Sequence, residues 1–592
     1  MVRRKGRHGG PPALTTPQSR PTQGALPAWR LLRAISVELV QAVFVPPALS
    51  LARVTSGTLF GLSLRLVDVE VGTRRGPAHF QLAGLAEAAV REARVRVSSA
   101  ISQLGLTLEE YAITVSLAPA DVRKNGSGLD LALAIAILET LGQLPAGSTA
   151  GALVVGELGL DGTVRPIPGV LPLLDGARRL GLVAAFVPVD NSREAARVGD
   201  LDVYPIRSLR QLVAHLRGDE RVSALTAERY VPAAASGPDL VDIRGQSIGK
   251  RALLIAAAGR HHLLLLGPPG AGKSMLARRL VGLLPPLSLQ QALETTALHS
   301  VAGLLDRSAG IIDSPPFRAP HHTVSDIGLV GGGTNPRPGE LSLAHHGVLF
   351  LDELLEFRRS ALEALRQPLE EQKVSVVRSQ ARVVFPARPL VVFAMNPCPC
   401  GHYGSPRGQC RCDSAARLRY LGKLSGPLLD RIDLHVHVPP VDAGSLRKSG
   451  SQGSESTAEL ARRVAVARAR QAERRKAGLT AAVDNSDLGL AELERIAQLD
   501  TKGTRLIEAA FARLGLSARS YVRTLRVART IADLDDATDV REEHVGEAVC
   551  YRALGATAGV PAASPFTRPP ADTAPSVRRK NDRRSPQERK PT

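Results

Sequence analysis

Three short apolar runs stand out in the middle of the chain: Leu263–Leu266, Val348–Leu351 and Leu390–Met395. Runs this brief, with no polar interruption, suit strands buried on both faces of a parallel sheet. The first is followed by an amphipathic stretch, Met275–Leu284, with the spacing of a helix. Upstream, residues 51–216 mix β-like runs (Leu64–Val71, Ile113–Leu117, Leu153–Val155) with helical stretches (Gly84–Gly105, Gly128–Leu141), which predicts a separate α/β domain. Downstream, residues 457–555 are helical in pattern almost throughout. Between Lys373 and Phe385 apolar and polar positions alternate about Ser379-Gln380-Ala381, the signature of a β-hairpin. The pattern therefore predicts a multidomain α/β chain. A Pro/Arg/Gly-rich extension (1–50) precedes the first domain (51–216), and a polar connector (217–238) leads to the central domain (239–441). A Gly/Ser-rich linker (442–456), the helical region (457–555) and a Pro-rich basic tail (556–592) complete it.

At 592 residues the chain exceeds what one core supports. Its formal charge of +20 would suggest a nucleic-acid partner, but the charge is unevenly placed. Residues 1–50 hold seven Lys/Arg against Glu38 alone, and residues 568–592 hold eight against three acids, so more than half of the excess sits at the two ends. Solvated tails and DNA attraction explain this equally well. Four of the five cysteines cluster at 398–412, unlike the spread of a disulfide-stapled secreted domain. No run is long enough to span a membrane. The one stretch resembling a leader, 29–52, is broken by Arg30, Arg33, Glu38, Pro46 and Pro47. The expected location is the cytoplasm.

The chemistry is concentrated at the ends of the three apolar runs. Gly267-Pro268-Pro269-Gly270-Ala271-Gly272-Lys273-Ser274 is a G-x-x-x-x-G-K-S loop between a strand and a helix. Its backbone N–H groups can surround an oxyanion, Lys273 adds charge for the β/γ-phosphates, and Ser274 offers a hydroxyl to Mg²⁺. The second run ends in Asp352-Glu353: Asp352 suits the Mg²⁺ shell, and Glu353 is placed to polarise a water aimed at the γ-phosphate. The third ends in Asn396, which can orient that water. ATP and Mg²⁺ are the implied ligands. Cys398-x-Cys400 and Cys410-x-Cys412 supply four thiols suited to tetrahedral Zn²⁺, with free thiols or a redox-labile pair as alternatives.

Phe317-Arg-Ala-Pro-His-His-Thr-Val-Ser325, His346-Gly-Val-Leu-Phe-Leu-Asp-Glu-Leu354 and Asn396-Pro-Cys-Pro-Cys-Gly401 together resemble the magnesium-chelatase-like AAA+ ATPases of the ComM/YifB type, over roughly residues 50–555. The resemblance implies a P-loop AAA+ domain of the helix-2-insert branch, with the insert at Arg318–Gly333, and a C-terminal helical lid. It implies subunits in a ring, expected to be hexameric, with active sites between neighbours. Ser425-Gly-Pro-Leu-Leu-Asp-Arg-Ile-Asp433 resembles the arginine-finger segment and nominates Arg431. Leu516-Ser-Ala-Arg-Ser-Tyr521 resembles the sensor-2 segment and nominates Arg519. The hairpin at 373–385 matches the one that points basic residues at DNA in related helicases, here Arg378 and Arg382.

The N-terminal domain resembles the Lon-protease fold (ribosomal S5 domain 2-like). Gly128 falls at the place of the nucleophilic serine and Leu173 at that of the lysine, so no protease dyad is expected; Ser127, one residue away, lacks a base. The function implied is an ATP-driven ring acting on single-stranded or branched DNA, with branch migration during transformation or recombination as its work. The rivals are a magnesium-chelatase motor subunit, a Lon-like protease and an ATP-gated adaptor.

Overall fold

A computed structural model describes residues 50–83, 92–121, 124, 126–233, 237–378, 381–403, 410–441, 455–514 and 517–552. The expected extension but for Ser50, the linker but for residues 455 and 456, the whole tail, and residues 84–91 of the expected helical stretch therefore fall outside the described residues.

The N-terminal domain opens with a hairpin. β1 (Ser50–Phe60) pairs antiparallel with β2 (Ser63–Arg75) in continuous register from Ser50↔Thr73 to Phe60↔Ser63. Gly61, at φ 65°, makes the two-residue turn that such a register requires. β3 (His79–Ala83) and β4 (Tyr111–Ala118) complete a sheet of order β1-β2-β4-β3. Val67, Val69 and Val71 alternate inward from β2 and are fully buried. They meet the helices Ala93–Ser102 and Asp130–Thr140, the second of which is buried at every residue. The hydrophobic pattern does not reveal β1. Its inward positions are Ala52, Val54, Ser56 and Thr58, and the two hydroxyls break the apolar signal. Ser56 is accommodated by donating to the Val154 carbonyl at 2.6 Å.

The domain continues into a parallel three-stranded sheet of β5 (Ala152–Val154), β8 (Ala184–Pro188) and β9 (Asp202–Ile206), and a small hairpin of β6 (Glu157–Leu158) and β7 (Val164–Arg165). The helices Val170–Arg179 and Leu209–Arg217 cover it.

The central domain is built on five parallel strands. β10 (Leu263–Leu266), β14 (Val348–Leu351) and β17 (Leu390–Met395) coincide with the three apolar runs and are buried at every residue. With β11 (Phe317–Arg318) and β18 (Leu434–His437) the order is β11-β14-β17-β10-β18. One face carries the helix Ser247–Gly259 and the lid. The other faces Leu354–Leu365 and the root of the hairpin formed by β15 (Lys373–Arg378) and β16 (Ala381–Pro386). The insert expected between Arg318 and Gly333 contains the short helix Asp326–Val330 and β12 (Gly331–Gly332), which pairs with β13 (Arg337–Pro338).

The lid comprises the helices Thr457–Lys476, Leu490–Ile496, Thr501–Leu514, Ala518–Leu534 and Glu542–Cys550. Ser456 and Glu459 form a capping box that starts the first of them.

Several contacts tie the N-terminal domain and its connector to the ATPase domain, among them Tyr230 OH donating to the Leu287 carbonyl at 2.8 Å and the two described next. Phe60 and Leu62 flank the Gly61 turn and pack on the core that holds Val383 and Phe385; a Cβ on Gly61 would come within 2.5 Å of Val383 Cγ1. Elsewhere the Gly169 N–H donates to Ser300 Oγ at 2.9 Å, and that hydroxyl donates to the buried Glu194 carboxylate. Burial pushes the Glu194 carboxyl above its ordinary range.

Candidate nucleotide site

The sheet order decides the site. β17 lies between β10 and β14, so Asn396 emerges between the phosphate loop and Asp352-Glu353. The Lys273 ammonium donates to Asn396 Oδ1 at 3.0 Å and to the carbonyls of Gly267 and Pro268 at 2.7 and 3.0 Å. Burial lowers the affinity of Lys273 for its proton, while Asp352 and Glu353 act in the opposite sense. Ser274 Oγ donates to Asp352 Oδ2 at 2.7 Å, which brings the two proposed Mg²⁺ groups together. Gly270 and Gly272 have φ 75° and 91°, where a side chain would be strained. At Gly267 a Cβ would lie 2.2 Å from the Val438 carbonyl oxygen, so the loop's first residue is fixed by its close approach to the neighbouring strand. Pro269 and Ala271 complete the loop.

Glu353 occupies left-handed backbone space at φ 50°, and its side chain is mostly exposed. Its carboxylate lies 3.3 Å from His322 Nδ1. Sequence reasoning did not assign His322 to the site; the available signal was the His321-His322 pair inside the 317–325 motif.

Arg431 and Arg519 are not among the groups around Lys273. Arg431 is buried; it donates to the carbonyls of Arg366 (2.9 Å) and Pro427 (2.6 Å) and pairs with Glu370 at 2.7 Å. Arg519 is 66% exposed and lies 3.9 Å from the same carboxylate. Both line a cavity of about 850 Å³ between the lid and the sheet, to which no residue of the phosphate loop contributes. The neighbouring lid arginines are occupied: Arg523 donates to Asp433, and Arg526 to the Leu488 carbonyl. Of Arg519, Arg523 and Arg526, Arg519 is the exposed one.

On the hairpin, Arg382 is exposed and reaches Ser375 Oγ at 3.2 Å. Arg378 pairs with Ala381 across the turn, and its side chain lies outside the described residues. At the Lon-like position a Cβ on Gly128 would face Ile167 at 3.4 Å, and Leu173 is buried in the core. Ser127 donates to Glu157, and Lys124 donates to the Pro119 carbonyl.

The four clustered cysteines converge. Cys398, Cys400 and Cys410 lie 3.4–3.8 Å apart at sulfur, and the four sulfurs lie within 4.8 Å of one another. Glu294, His345 and His346 form a second group of ligand type. His345 accepts the Arg388 N–H on Nδ1, so its other nitrogen carries hydrogen toward Glu294 at 3.3 Å. That arrangement is a hydrogen-bonded brace at the start of β14.

A parallel sheet with a phosphate loop, an acidic pair two strands away, a polar residue between them and an all-helical lid defines an AAA+ P-loop ATPase. Residues 239–446 match the family model described as magnesium chelatase, subunit ChlI; residues 69–191 and 454–552 match those described as subunit ChlI of Mg-chelatase and magnesium chelatase, subunit ChlI C-terminal. The chain is 43% identical to competence protein ComM of Haemophilus influenzae over 86% of its own length and 98% of that protein. It is 41% identical to YifB of Escherichia coli, an uncharacterised protein, over the same shares. An uncharacterised protein of Mycobacterium tuberculosis is 43% identical over 86% of this chain and all of its own. The chain belongs to the magnesium-chelatase-like AAA+ ATPases of the ComM/YifB family. Among the described residues no helix is long and apolar enough to cross a membrane.

Proposed function

We propose that this chain hydrolyses ATP with Mg²⁺ at the interfaces of a homo-oligomeric ring, expected to be a hexamer, and uses the energy to move branched or single-stranded DNA. The observation that carries the reading is the division of the site. Lys273 is hydrogen-bonded to Asn396 and Ser274 to Asp352, whereas Arg431 and Arg519 line a separate cavity. A neighbouring subunit would bring those two guanidiniums to the γ-phosphate.

Lys273 and the loop N–H groups would hold the phosphates; Ser274 and Asp352 would hold Mg²⁺, which would supply positive charge to the phosphate oxygens. Glu353 accepts the proton of the attacking water, and Asn396 orients that water. Arg431 stabilises the transition-state charge, a contribution of about 10³–10⁵ in rate in other phosphoryl-transfer systems.

The DNA part of the reading rests on the likeness to a competence protein of Haemophilus and on the basic hairpin. The deciding experiment is an ATPase and strand-movement assay with single-stranded, duplex and four-way-junction DNA. Junction movement coupled to ATP supports the motor. If DNA neither stimulates turnover nor is moved, the family descriptions favour the second reading, a chelatase-type motor working on another protein. Gly128 and Leu173 speak against a protease, and the connected catalytic groups against an ATP-gated adaptor.

A further inference from the structure

The loop that follows Asn396 lies directly on the phosphate loop. A Cβ on Gly401 would come within 2.6 Å of Pro269 Cδ and 3.9 Å of Asn396 Cγ. Gly401 adopts φ 80°, so it is fitted to its place both by backbone conformation and by lack of room. The same turn carries Cys398 and Cys400, and Cys410 and Cys412 return to meet them.

We propose that Cys398, Cys400, Cys410 and Cys412 hold one Zn²⁺, and that this ion braces the phosphate loop through Gly401. Four sulfurs around zinc at the usual bond length of about 2.3 Å form a tetrahedron with edges of about 3.8 Å. The Cys398–Cys410 and Cys400–Cys410 separations are 3.8 and 3.7 Å, and the Cys398–Cys400 separation is 3.4 Å. These are far beyond a disulfide bond, and the four thiols are free. Backbone N–H groups also face two of the sulfurs. The Tyr403 N–H donates to Cys398 Sγ at 3.4 Å, and the N–H groups of His402 and Arg411 point at Cys400. Arg417 donates to the Cys412 carbonyl at 3.0 Å, with its guanidinium 4.3 Å from the Tyr403 ring centre. This fastens the returning arm to the outgoing one. As each Zn–S bond forms, the thiol proton passes to solvent.

The ion would join the two ends of this loop, beside the Gly401 N–H bond to the Cys398 carbonyl at 2.9 Å. With the loop closed, Gly401 keeps Pro269 in place, and the oxyanion-binding path of the phosphate loop is fixed from outside. The metal site itself is independent of the ATPase reading; its bracing role rests on that reading.

The test begins with full-length protein purified under reducing conditions and metal analysis. About one zinc per chain is expected. Iron in its place, or no metal with all four thiols promptly alkylated in folded protein, overturns the site. Zinc is then displaced from the wild-type protein with an organomercurial and followed with a chromogenic chelator, while circular dichroism monitors the fold. Affinity for a fluorescent ATP analogue is expected to fall about tenfold. Gly401→Ala, which keeps all four thiols, should retain zinc yet lose affinity to a similar degree. Unchanged nucleotide affinity after zinc release and in Gly401→Ala overturns the brace. Protein that holds zinc but binds no nucleotide even when intact indicts the ATPase assignment instead.

Discussion

At the scale of single residues, the proposed roles of Lys273 and Glu353 divide binding from turnover. Glu353→Gln retains Lys273, Ser274 and Asp352, so nucleotide affinity should be near normal while turnover falls roughly 10²–10⁴-fold. Lys273→Ala removes the phosphate-facing charge and should weaken binding itself. Equilibrium binding and steady-state hydrolysis of the two variants separate these outcomes; wild-type turnover by Glu353→Gln would remove the water-activation role. A second residue-scale prediction concerns acid. Burial pulls the His345 imidazole down to about 4, and His346 is lowered for the same reason. Each therefore faces Glu294 as a neutral ring, and those contacts hold the Glu294 carboxyl well below its ordinary range. The unfolded chain takes up a proton on such rings below about pH 6.5; the native chain resists down to about pH 4. Stability should be greatest above pH 7 and should fall as pH drops from 6.5 toward 4. His345→Asn keeps an acceptor for the Arg388 N–H, so its thermal midpoint should decline less steeply over that window. Parallel declines in the two proteins would exclude His345 as a contributor.

At the scale of elements, the strands that read clearly in the sequence are those whose burial is two-sided. β10, β14 and β17 needed only apolar residues, so their limits could be read directly. β1 stayed hidden because Ser56 and Thr58 enter the core through hydrogen bonding and small size. The phosphate loop and the acidic pair were legible because chemistry dictates residue type at fixed spacing. His322 was not, because its approach to Glu353 depends on how the insert folds back on the sheet. Likewise, nothing in the sequence places Gly61 against Val383. That junction yields a prediction. Gly61→Ala meets both a left-handed backbone and a clash, and should cost about 1–3 kcal/mol in urea unfolding. Gly142→Ala, at φ 70° with open space around it, should cost less; equal losses would mean that the contact with the hairpin adds nothing. The hairpin's outward end carries its own test. Neutralising Arg378 and Arg382 together should reduce DNA binding modestly but reduce junction movement per ATP strongly. Normal movement per ATP would dismiss the hairpin as a DNA-contacting element.

At the scale of the whole molecule, the separation of Arg431 and Arg519 from the phosphate loop predicts complementation between chains. Arg431→Ala should bind ATP yet fail to hydrolyse it. Mixed with Glu353→Gln, it should recover part of the activity, because some interfaces then pair an intact Glu353 with an intact Arg431. Mixed rings confirmed by mass and still inactive would speak against a finger supplied by a neighbour. Net charge was a poorer guide at this scale than local motifs, since most of the excess lies in the two end segments.

The turn Phe60-Gly61-Leu62 seated on the hairpin root has a consequence for what counts as the smallest working engine. A fragment beginning at residue 239 would keep every group proposed to hold ATP, yet it would leave Val383 and Phe385, now buried, with one wall open to water. Such a fragment should clump or breathe at the hairpin, whatever its nucleotide affinity. On the proposed reading, the amino-terminal domain would then be masonry, a wall of the hairpin's own core.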